Sequence, residues 1–250
     1  MCIRDRSSNP FSGQLFDGEI LHATGLGTNV PLSKLNGGRP FVLLDACEET
    51  PTVDAVNFPN EEAERAAMQH LIDRGCRNIA IVGHRFAPRA DLAHAQNAFA
   101  LRLRGACGAL SDAGLPYDES MVFEAGDVAN GIIAGHAIAE RILAARSGHG
   151  GTEFDGACCA NDFAAFGVIR GLADRGLRVP QDVKVIGFDG VTSGSYTTPA
   201  LSTIQVDFTQ LAKFSVDMLS ERIDHGADEA LPPRRAIIGY QLVDRESTAV

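Results

Sequence analysis

CCANDFAAFGVIRGLADRGLRVPQDVKVIGFDG, residues 158–190, is the stretch whose reading decides the fold. It begins inside an apolar run, FDGACCA at 154–160, and crosses the polar pair Asn161–Asp162. A helical pattern over 163–175 follows, stopped by Gly176 and Pro180. A second apolar, β-branched run, VKVIGF at 183–188, then ends on Asp189. Strand, helix and strand in that order make a unit whose two strands lie parallel through a right-handed crossover. The expected class is therefore α/β.

The same alternation extends outward in both directions. Strands are expected at GEILHA (18–23), FVLLDA (41–46), VDAVNF (53–58), NIAIVG (78–83), MVFEAG (121–126) and RAIIGYQLV (235–243). Between them the pattern predicts helices over 60–74, 92–113, 130–146 and 208–224. The helix at 60–74 has Asn60 as its expected N-cap, Glu61 and Glu62 in its first turn, and Gly75 as its stop. Repeated crossovers of this kind build a doubly wound sheet with helices on both faces. After VKVIGF the pattern changes: DGVTSGSYTTPALSTIQVD reads as a long polar connection, of the sort that joins two lobes or forms a functional loop.

Composition narrows the function classes. The chain has 250 residues with 22 Lys plus Arg against 32 Asp plus Glu, a formal charge of −10, which excludes polyanion binding as its main business. With 45% hydrophobic and 22% charged residues it can bury a sizeable core. Its apolar runs, such as FVLL and IAIV, are far shorter than the roughly 20 residues that span a bilayer. The six cysteines are scattered with no CxxC spacing and read as reduced, small apolar residues of a cytoplasmic protein. MCIRDRSSNPFSGQLF has no apolar signal-peptide core, and residues 1–16 read as a non-native or disordered leader.

In open parallel sheets ligands gather outside the carboxyl ends of the strands. The polar residues just past those ends are Asn161, Asp189 and Asp127, and the helix after NIAIVG carries Arg102 within RLRG. A guanidinium that donates in a fork, carboxylates that accept and an amide that does both match the vicinal hydroxyls of a neutral sugar. Blander readings stand beside these. Asp189 also suits a turn cap, Asn161 or Asp162 suits the cap of the following helix, and Asp127 alone is a weak signal. Phe99, Phe163, Phe188 and Phe208 are placed to stack on a ring or to fill core. The seven histidines show no ligand spacing, and no nucleophile elbow, P-loop or dinucleotide fingerprint is present, so no metal, cofactor or catalytic group is expected.

Six stretches together carry a family resemblance: DGEIL; AAMQHLIDRGCRNIAIVG; RLRGACGALSDAGLPYD; the opening quotation; YTTPALSTIQVDF; and LVDREST. In that order they resemble the effector-binding domain of the LacI/GalR transcription regulators. The resemblance implies a periplasmic-binding-protein-like type I fold of two doubly wound parallel lobes with a small effector in the interlobe cleft. The first lobe would hold 17–76 plus 206–234 and be incomplete; the second would hold 77–205 plus 235–250. It implies effector contacts at Arg102, Asn161 and Asp189, with Asp127 and Phe208 beside them. Val128 stands where many members place an aromatic residue. A homodimer with Phe166 and Tyr196 at its interface is implied too. The family's helix-turn-helix has no counterpart, so operator DNA would be bound only through a missing domain, and the chain reads as truncated. A periplasmic sugar receptor of an uptake system is the alternative with the same fold; a sugar-acting enzyme is a third, lacking its constellation.

Overall fold

Short, nearly unbroken apolar runs form the strands, and the longer periodic segments between them form the helices. The computed structural model describes residues 16–23, 39–124, 131–147, 154–225 and 231–249. In chain order the strands are β1 (Glu19–His22), β2 (Phe41–Leu44), β3 (Ala55–Asn57), β4 (Ile79–Val82), β5 (Val122–Phe123), β6 (Gly156–Cys159), β7 (Lys184–Asp189), β8 (Ser202–Val206), β9 (Arg235–Ile237) and β10 (Tyr240–Val243). The helices are α1 (Asn60–Asp73), α2 (Arg89–Leu92), α3 (Ala98–Asp112), α4 (Gly131–Ser147), α5 (Asp162–Asp174) and α6 (Phe208–His225).

The chain divides into two units. The first comprises Met1–Phe58, Gln96–Ala98 and Asp207–Gly239. Its four-stranded sheet has the order β1-β2-β3-β9, parallel throughout, and α6 packs on it. Asp54 ties this unit together. Its buried carboxylate accepts from Arg222 Nε (2.9 Å) and Nη2 (2.8 Å), from the Arg234 backbone N–H (2.8 Å) and from Arg234 Nη2 (3.2 Å). Burial pushes this carboxyl up, but the two guanidinium groups outweigh that and hold it below its ordinary value.

The second unit comprises Pro59–Ala95, Phe99–Val206 and Tyr240–Val250. Its six-stranded sheet runs β10-β8-β7-β6-β4-β5, with only β10 antiparallel to its neighbour. Val82, Ile138, Ile142, Phe154, Val168 and Val185 form part of one core cluster. Within it α4 and α5 meet at backbone distance, because glycines line the contact. A methyl group on Gly167 would stand inside contact distance of the Ile132 carbonyl oxygen and 2.7 Å from His136 N. Both atoms belong to α4 backbone and cannot rotate away. Gly167→Ala is therefore expected to cost about 1–3 kcal/mol and to lower the melting temperature by roughly 3–10 °C in a thermal unfolding scan.

Four elements differ from the sequence reading. RAIIGYQLV is not one strand: 235–237 pairs in parallel with β3 and 240–243 antiparallel with β8, in separate sheets. The polar connection after β7 contains β8, a strand whose Ser202 and Thr203 are fully buried because their hydroxyls are satisfied. The helix expected over 92–113 starts later, as α3 at Ala98 just after Asn97, a residue type that favours caps over interiors, and the short α2 before it shares only Leu92 with the expected span. Finally, α1 belongs to the second unit, not with residues 17–58, since it packs on β6, β7, β8 and β10. Residues 235–239 likewise belong with the first unit through the pairing of β9.

Candidate functional site

The second sheet presents the ends of β4, β6 and β7 side by side, since β6 pairs with both others. At the first end the chain must turn sharply beside its neighbour. Gly83 has φ +94°, and a Cβ there would lie 2.8 Å from the Ala160 side chain, so only glycine fits. At the second end Asn161 caps α5, its Oδ1 accepting from the Ala164 N–H at 2.8 Å. Of the two caps that the sequence leaves open, the asparagine is the one formed.

Arg102 is 7% exposed, and α3 delivers it to these strand ends. Its Nε donates to Asn60 Oδ1 at 2.8 Å and its Nη1 to the Ala160 carbonyl at 2.6 Å. Its guanidinium carbon sits 3.6 Å from the centroid of the Phe188 ring, the residue before Asp189 on β7. Two donor directions and one face are thus fixed by the protein, an arrangement a flexible ammonium does not reproduce. Asn60 serves this clamp and does not cap α1, whose N-cap position is Pro59 with no side-chain cap bond.

Asp189 ends β7 with φ +110°, in the left-handed region that a non-glycine residue occupies only under constraint. The turn that follows it is held by Asp162, fully buried at the start of α5. Its Oδ2 accepts from the Val191 N–H at 2.7 Å and its Oδ1 from the Thr203 hydroxyl at 2.6 Å, and the Gly190 N–H also favours the charged form. Burial pushes the Asp162 carboxyl up to about 6, against the opposing pull of those donors.

Beside Arg102 lies a second buried polar group that sequence reasoning missed. Glu64 of α1 is 0% and His84, just past β4, is 1% exposed; His84 Nε2 is 3.7 Å from Glu64 Oε1, which accepts from Cys158 Sγ at 3.3 Å. His84 stands at a strand end like Asn161 and Asp189, so the rule that proposed those two could have found it. Glu64 is four residues after Asn60, on the same helix face. Cys158 and Cys159 are fully buried and burial drives both thiols well above their ordinary value, so they are unreactive.

Of the expected contacts, Arg102, Asn161 and Asp189 come from this one unit. Phe208 belongs to the first unit, half exposed at the start of α6, with its ring edge on Phe58 at 6.0 Å between centroids. Asp127 and Val128 lie outside the described residues, as does most of the leader. Phe166 packs against the core of the second unit, and Tyr196 is 83% exposed.

Comparison with known proteins adds the following. Residues 68–248 match the family described as periplasmic binding protein-like domain. The HTH-type transcriptional repressor PurR of Aliivibrio fischeri is 30% identical over 208 residues, 83% of this chain and 58% of that protein. This chain therefore spans little more than half the length of that relative. A LacI-type transcription regulator from Bifidobacterium animalis subsp. lactis superposes with a TM-score of 0.76 at 31% identity, over 94% of this chain and 80% of that one. A LacI family transcriptional regulator from Enterococcus faecium, solved with bound ribose, gives 0.73 at 26% identity over 93% and 80%.

Proposed function

We propose a function that proceeds from one premise: the chain belongs to the LacI/GalR family of transcription regulators, of which it is the periplasmic-binding-protein-like, effector-binding domain. Its role is to sense a small neutral sugar or related metabolite in the cytoplasm. In the whole regulator, binding would change operator affinity by favouring one of two states, and no catalysis is involved. The observation that carries this reading is the clamped Arg102 guanidinium, bonded to the Ala160 carbonyl beside Asn161 at the end of β6 and stacked on Phe188, the residue before Asp189 at the end of the neighbouring β7. A fixed donor, a fixed acceptor and an amide at adjacent strand ends suit vicinal hydroxyls. The ribose held by the Enterococcus faecium relative supports the ligand class.

Thermal-shift screening against neutral mono- and disaccharides tests the proposal. A ligand at about 100 times its Kd adds roughly 2.7 kcal/mol, a rise of several degrees for a chain of this size. At least one sugar should produce it, and a flat panel would refute the sugar class.

Self-association belongs to the same reading, with Tyr196 and Phe166 facing a second copy. The chain is expected to sediment as a dimer, and Tyr196→Glu, which places a charge at an exposed position, to shift it toward monomer. An unaltered sedimentation coefficient in that variant would move the interface elsewhere.

A further inference from the structure

We propose that Asp162 is the positioning residue of the effector site: its carboxylate grips the backbone of the turn after β7 and so sets where the Asp189 side chain stands. The inference rests on the ligand role given to Asp189 above.

Four observations carry it. Asp189 holds a left-handed φ of +110° with no glycine to relieve it, so something outside the residue must fix the turn. The Val191 amide, two residues after Asp189, donates to Asp162, and the Gly190 N–H between them also favours its charged form. Asp162 is anchored from the far side by Thr203 of β8 and is 0% exposed. Gly187 of β7 makes room for it, since a Cβ there would overlap Asp162 Oδ1 and lie 3.0 Å from Leu201 Cδ2. The glycine, the aspartate and the turn thus form one fitted part.

The charge on Asp162 matters because amide N–H groups cannot reverse. A proton arriving on the carboxyl is accommodated on Oδ1. There the Thr203 hydroxyl can turn to accept it, redirecting its own hydrogen to the Ile204 carbonyl at 3.3 Å. The Val191 amide is then left with a neutral acceptor, and charge-assisted bonds are roughly twice as strong as neutral ones. Protonation therefore loosens the turn without breaking it. The other ionisable groups facing Asp162 are Arg245, which favours its charged form, and Cys159, whose own thiol is raised by burial and by Asp162.

The sign for stability is opposite. With the folded carboxyl raised to about 6 from 3.8, its contribution to stability is full below the lower value and is lost as the pH rises through the upper one. Between pH 8 and 5, acidification thus strengthens the fold at Asp162 while loosening the Asp189 turn, whereas His70, whose pKa burial lowers, acts in the opposite direction, so a melting curve at each pH accompanies the binding measurement.

The amide resonances of Asp189, Gly190 and Val191, followed by heteronuclear NMR from pH 8 to 5 without ligand, test this. In the wild-type chain all three should titrate together with a midpoint near 6. In Asp162→Asn, which mimics the protonated side chain, they should be flat and close to the wild-type positions at pH 5. D-ribose is the binding probe: its affinity should fall about fivefold from pH 8 to 5 in the wild type and be low and pH-independent in Asp162→Asn. Gly190 and Val191 titrating while Asp189 stays fixed would overturn the positioning role, as would an Asp162→Asn variant with wild-type profiles. Failure of ribose and of every other sugar in the panel to bind at any pH would count against the sugar reading, while the amide titration alone would still decide the role of Asp162.

Discussion

Arg102→Ala is expected to weaken effector binding on the order of 100-fold, the loss of about two hydrogen bonds to a charged donor. The guanidinium is held at Nε by Asn60 and at Nη1 by Ala160, and is stacked on Phe188, so its remaining donors stand in one place before any ligand arrives. Such pre-organisation is what converts a contact into affinity. Truncation also leaves Asn60 Oδ1 and the Ala160 carbonyl without their donor, which lowers stability. Arg102→Lys separates the two effects: it keeps the charge but loses the fork, and should bind roughly tenfold weaker while unfolding closer to the wild type. Affinity by calorimetry and melting temperature on both variants check this. Wild-type affinity in Arg102→Ala would remove the residue from the site.

The second large effect is structural. Asp54→Ala should destabilise the chain by about 3 kcal/mol, at the low end for a broken buried pair because Arg234 is more than a third exposed. The loss would leave Arg222 directed at an empty place, keeping the Leu231 and Pro232 carbonyls as its partners among the described residues, and would unfasten α6 from the segment that leads into β9. The expected fall in melting temperature at pH 7 is roughly 6–12 °C. The pH dependence follows from the lowered folded value. The stability Asp54 contributes is present above the ordinary carboxylate value of 3.8 and is lost as the pH falls through the folded one. The gap between wild type and variant should accordingly close in strong acid. A gap that persists unchanged would show that lost packing, not the ion pair, is responsible.

Much of this architecture was legible because apolar runs report buried parallel strands directly: IAIV, GACC and KVIGFD all form strands of the second sheet. What failed did so for physical reasons. Ser202 and Thr203 made β8 look like loop, and nothing in their neighbourhood reveals that Ser247, Thr248 and Asp162, all distant in sequence, satisfy them. The run 235–243 is mostly apolar along its length, yet which sheet each half joins depends on long-range pairing that periodicity does not encode. The site shows the same division. Asn161 and Asp189 stand at strand ends as position alone predicts, while Asn60, read as a cap, holds Arg102. Asp162 was weighed only as a cap, although its buried carboxylate fixes the adjacent turn.

The central claim is that the polar groups at the ends of β6 and β7 bind a small polyhydroxylated effector. Titration calorimetry of the wild-type chain and of Asp189→Asn against the sugar panel tests it most directly, because asparagine tolerates positive φ and removes only the charge. The account predicts saturable binding of at least one sugar by the wild type and an affinity at least about tenfold lower in the variant. Equal affinity in the two proteins, or no binding of any sugar by the wild type, would contradict it.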